Sequence, residues 1–132
     1  MLYSGMLFKL LIVGLGGFIG AVARYSLSGL IHRYWTTGFP VGTLIVNVLG
    51  CFVIGGFLYY VESRAALPPT LRLFAGIGIL GAFTTFSTFG YETAQLIGER
   101  QMWYAALNVL GNMVLGLVAV WLGRTLLRAV HL

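Results

Sequence analysis

The feature that most restricts this chain is how far it travels without a charge. Residues 34–61, 73–91 and 101–123 contain no Asp, Glu, Lys or Arg, and residues 10–23 are equally bare. Helices of soluble proteins keep a charged or polar face for water, so runs like these leave no side to solvate. With its flanks, each run is long enough to cross a hydrocarbon core of about 30 Å at about 1.5 Å per residue. Hydrophobic residues make up 59% of the chain and charged residues 8%. The mean hydropathy of +0.94 agrees. The expectation is therefore a small all-α membrane protein of 132 residues, one transmembrane domain over its whole length.

Four spans account for the sequence: about Leu7 to His32, Val41 to Val61, Leu71 to Glu99, and Trp103 to Gly123. Thr37-Gly38-Phe39-Pro40 is a turn signal before the second, and Pro68-Pro69-Thr70 opens the third. Trp35, Trp103, Tyr104 and Trp121 fall near span ends, where an aromatic belt sits. The short connections make consecutive helices antiparallel neighbours. Gly16 and Gly20 form a small-xxx-small pair suited to close helix packing. Lys9, the apolar run after it and Ala21-Val22-Ala23 imitate a secretory signal with its cleavage site. The glycines at 14, 16, 17 and 20 suit a packing face better than a signal core, so the segment is read as a span.

The third span breaks the pattern. Thr84, Thr85, Ser87 and Thr88 crowd hydroxyls around Phe86, and Gly76, Gly78, Gly81 and Gly90 lower helix propensity further. Irregular backbone at membrane depth is tolerated only where protein or a polar cavity covers it, and its exposed carbonyls can hold ions. A helix broken near Thr84, with a cation on main-chain carbonyls at the break, is the expectation.

Polar side chains inside the spans are the other departure. Arg24 lies well inside the first, where it either serves a function or snorkels to the interface. Asn47 is the only strongly polar side chain between Thr43 and Tyr59; it either bonds a neighbouring helix or presents its amide donors to an anion. Phe86 and Phe89 share a helical face, commonly a packing pair, although ring edges carry positive charge that can meet an anion. Asn108, Asn112 and Gly116 recur at every fourth position, giving either a polar track or interhelical glue. Glu92, within or near the membrane, is either a proton or anion-path residue or, on the plainer account, the partner of an Arg.

Three of these stretches carry a resemblance. Gly81-x-x-Thr84-Thr85-Phe86-Ser87-Thr88-Phe89, Gly20-Ala21-x-x-Arg24-Tyr25 and Gly42-Thr43-Leu44-x-Val46-Asn47 together resemble the signatures of the CrcB/Fluc fluoride channels, in order and through most of the chain. The resemblance implies a fluoride-selective channel exporting the anion passively, built as an antiparallel, dual-topology homodimer in a prokaryotic cell membrane. It implies a fluoride path along Asn47, Phe86, Phe89, Asn108 and Asn112, with Arg24 in an entry vestibule. It also implies a structural sodium ion on the backbone oxygens of Gly81 and Thr84 at the dimer centre. Family members often carry Tyr and Ser at the positions of Asn108 and Asn112, so this chain departs there.

Other classes fit less well. The net charge of +5 is scattered, with no basic run for nucleic acid. There is no Asp, and the single Cys51 and the distant His32 and His131 form no catalytic or metal-ligating set, so an enzyme is not expected. A proton-coupled exporter of organic cations fits the size and span count but wants a carboxylate deep in a span. A non-transporting assembly subunit would explain the glycines but not the polar residues. Lys9, Arg64, Arg72, Arg124 and Arg128 fall on one side, against Arg33 and Arg100, plus Arg24 if it snorkels. That bias favours cytoplasmic termini, whereas the resemblance implies insertion both ways; the dual topology is adopted.

Overall fold

A computed structural model describes residues 2–63 and 68–130, with side chains from Gly5 onward. Arg64, counted above toward the basic side, and His131 and Leu132 lie outside the described residues. The described residues form four helical spans long and apolar enough to cross a membrane. Helix α1 is Leu2–Tyr34, and α2 is Val41–Ser63. The third span comprises α3, residues 69–83, and α4, Phe86–Gly98. The fourth, α5, is Met102–Val130.

Glycine decides which helices meet. Helix α1 lies along α3, and α2 along α5. A side chain on Gly20 would run into the Ile79 carbonyl of α3, and one on Gly55 into the Val120 carbonyl of α5. Such contact brings backbones close enough for dispersion and packing to hold helices together where the hydrophobic effect offers nothing. Most large apolar side chains point outward instead: Phe18 is 70% exposed and Leu117 73%. The bundle interior is correspondingly slim, with Val46 and Asn108 as its fully buried side chains.

Local chemistry sets the ends. Pro69 opens α3 at a position whose missing N–H costs nothing. Residues Arg72–Leu80 are wound as a π-helix, and the Gly81 N–H reaches back to the Gly76 carbonyl. Thr84 (φ −78°, ψ 155°) and Thr85 (φ −147°, ψ 111°) have extended backbone. Helix α4 then starts with Thr85 as its N-cap, the Thr88 N–H donating to Thr85 Oγ1 at 3.2 Å. It ends at Arg100, whose φ of 59° lets the Gln101 N–H reach the Leu96 carbonyl at 2.8 Å. Helix α5 runs on past Gly123 to Val130, carrying Arg124 to Glu62 at 2.8 Å at the end of α2.

Candidate functional site

The two extended threonines leave backbone groups that a continuous helix would have satisfied. In an unbroken helix the Thr85 N–H would donate to the Gly81 carbonyl. Here it donates to Asn47 Oδ1 at 2.8 Å, and Asn47 Nδ2 donates back to the Thr85 carbonyl at 3.1 Å. One amide side chain of α2 thus holds both polar groups of one backbone residue. The Ala82 carbonyl accepts from Arg24 Nε at 3.1 Å. The Gly81 carbonyl is left without its helical donor.

A chain of hydrogen bonds continues from Asn47. Its second N–H donates to Asn112 Oδ1 at 2.8 Å. Asn112 Nδ2 donates to Asn108 Oδ1 at 3.0 Å and to the Asn108 carbonyl at 2.9 Å. Asn108 Nδ2 donates to Thr93 Oγ1 at 2.9 Å, and the Thr93 hydroxyl donates to the Phe89 carbonyl at 2.8 Å. Apart from the Asn47 bond back to the Thr85 carbonyl, the donors run one way from Thr85 round to Phe89, so each bond polarises the next. The seam ties three spans together through groups that would be costly to leave unpaired in hydrocarbon.

Two cavities flank Thr85. One, of about 230 Å³, is lined by Arg24, Ser28, His32, Thr43 and Thr88 as well as Thr85. The other, of about 280 Å³, has Asn47, Thr85, Phe86, Phe89 and Asn112 in its wall. The Phe86 and Phe89 rings lie 5.4 Å apart, tilted at 56°. Phe89 is buried at 7% exposure, whereas Phe86 is 76% exposed on the flank of the chain.

The structure therefore brings Asn47, Phe86, Phe89 and Asn112 around one cavity. Asn108 sits behind that wall, fully buried, and reaches the cavity only through Asn112. Arg24 belongs to the other cavity and donates to the Ala82 carbonyl just before the two extended threonines. Glu92 does not pair with an Arg: it accepts from Thr43 Oγ1 at 2.6 Å, and its other oxygen is buried without a partner. His32 lines the same cavity as Glu92, and the salt bridge among the described residues is Arg124–Glu62. Thr43, quoted from the sequence only as part of a motif, and Thr93 were not among the site residues expected from it. Thr43 stands four residues before Asn47 and Thr93 four after Phe89, so each shares a helical face with a residue that was.

A family model described as "CrcB-like protein, Camphor Resistance (CrcB)" matches residues 11–124. The chain is 46% identical over 125 residues to the "Fluoride-specific ion channel FluC" of Methanocaldococcus jannaschii, covering 95% of this chain and 98% of that protein. It is 42% identical over 119 residues to "Fluoride-specific ion channel FluC 3" of Methanosarcina barkeri, covering 90% and 89% respectively. A bacterial relative, "Fluoride-specific ion channel FluC" of Geobacter sp. (strain M21), is 43% identical over 121 residues, 92% of this chain and 98% of that one.

Proposed function

The chain belongs to the CrcB-like protein family, and from that premise we propose that it is a fluoride-selective channel, not an enzyme, that lets the anion leave a prokaryotic cell passively through a multi-pass membrane protein. The observation that carries the reading at the site is the meeting of amide donors and paired aromatic rings around one cavity beside the broken span. A small, strongly hydrated anion gives up its water only where firm donors replace it, and amides, hydroxyls and ring edges are such donors. Weakly hydrated chloride gains less from the same groups.

The path runs from the Arg24 cavity past Thr85 to the cavity of Asn47, Phe86, Phe89 and Asn112, with Asn108 as its support. Both N–H groups of Asn47 are engaged, one on Thr85 and one on Asn112. An arriving anion takes over one of them, so Asn47 exchanges acceptors instead of offering a bare donor. Arg24 supplies positive charge at the entrance while it holds the Ala82 carbonyl.

The extended Thr84 and Thr85 are read as a break at mid-membrane depth. The Gly81 and Thr84 carbonyls beside it are oxygen donors suited to a hard cation, and Gly81 has lost its helical donor to the site's own geometry. A structural sodium ion fits there, supplying positive charge that gathers carbonyls. A single chain offers too few of them for full coordination, which an antiparallel second copy would remedy. The open side of Phe86 also fits a homodimer.

The test is efflux from liposomes holding the purified protein. Fluoride release without chloride release is expected, and it should fade when sodium is replaced by a large organic cation. A folded protein that releases neither anion, or both equally, overturns the channel; flux and folding indifferent to sodium overturn the ion site alone. The exporter alternative would require proton-driven uptake of organic cations by the same liposomes.

A further inference from the structure

Away from the proposed path, a groove of about 620 Å³ opens between α1, α2 and α3. Its shaft is apolar, with Ile54, Phe57, Leu58 and Ile77 in its walls, and Lys9 and Arg72 line it as well. Arg72 is near the start of α3 and Lys9 near the start of α1. Val61, whose carbonyl accepts from Arg72 at 3.4 Å, is near the end of α2. All three therefore stand at the same end of the bundle, and the shaft runs inward from them for about 10 Å, judged from the helical rise between Ile54 and Val61.

Neither cation has a carboxylate partner among the described residues: Glu62 is taken by Arg124. Arg72 uses one of its five N–H groups on Val61, which leaves donors for a ligand. Basic groups at the level of the membrane surface attract anionic lipid, and their pairing with an apolar slot beneath matches an amphiphile rather than a free ion.

We propose that this groove is a binding site for one anionic phospholipid, its headgroup phosphate between Lys9 and Arg72 and an acyl chain along Ile54, Phe57, Leu58 and Ile77. The site is distinct from the fluoride path and independent of what the protein conducts. Native mass spectrometry of the intact, detergent-purified protein titrated with phosphatidylglycerol or phosphatidylcholine tests it. Wild type should retain phosphatidylglycerol preferentially, inorganic phosphate should not displace it, and Lys9→Gln with Arg72→Gln should weaken retention roughly thirty-fold. Ile77→Trp, at an exposed position, should block the shaft and reduce retention with both cations intact. Equal retention of the two lipids, or unchanged retention in both variants, overturns the site. So does disulfide capture of a partner chain by Ile77→Cys, since a second copy would then fill the groove.

Discussion

Asn47 does two jobs whose failures look different in an experiment. Its oxygen takes the Thr85 N–H, while its nitrogen serves Thr85 and Asn112. Asn47→Asp keeps an acceptor for Thr85 but faces the Thr85 carbonyl and Asn112 Oδ1 with oxygen, and its negative charge would sit on the proposed anion path. Fluoride efflux should fall to background; wild-type efflux from this variant would remove Asn47 from the path. Asn108→Leu strips the seam from behind, leaving an Asn112 donor and the Thr93 hydroxyl short of partners. A loss of about 1–3 kcal/mol is expected, read as a lower midpoint in detergent denaturation. Phe86→Ile and Phe89→Ile keep bulk and remove the ring edge, so each should cut efflux while the protein still purifies at its normal size. Unchanged efflux in both would make the rings packing alone.

At the scale of the helix, glycine placement decides more than hydrophobicity, because every span is hydrophobic. Gly20→Val should abolish stable expression, since its side chain has the Ile79 backbone to meet and no flexible neighbour can yield. Gly14→Val, on the same helix with open space around it, should express normally. If both express alike, α1 and α3 are held by something other than close backbone contact. The four spans were legible in the sequence because charge-free length admits few alternatives in a membrane. The clustering of hydroxyls at Thr84–Thr88 pointed to the extended backbone found at Thr84 and Thr85, but not to the π-helical stretch before it, along which α1 packs. Asn47, Phe86, Phe89 and Asn112 could be named individually, while their convergence needed the bundle. The Arg expected for Glu92 is not its partner because a carboxylate in a span needs a donor, and Thr43 is the one that α2 turns toward it.

For the whole molecule, the Lys and Arg count and the proposed antiparallel pair pull orientation in opposite directions. With Cys51 replaced by Ala, Val130→Cys at the exposed end of α5, which leaves every Lys and Arg in place, should react with an impermeant reagent from both sides of intact membranes. Labelling from one side alone would exclude dual topology. The hydrogen-bond seam sets a different kind of limit, on the sequences the chain can drift through. Starting from the Thr85 backbone N–H, the side chains of Asn47, Asn112, Asn108 and Thr93 each receive one hydrogen and pass one on in a single rotational sense, so the seam has a grammar in which each of these side chains must both give and receive. A mutation that replaces one member with a group that only gives or only receives makes its neighbour ungrammatical as well. Acceptable change must therefore come in matched steps, and an unmatched substitution should find its suppressor at the adjoining seam position on another span.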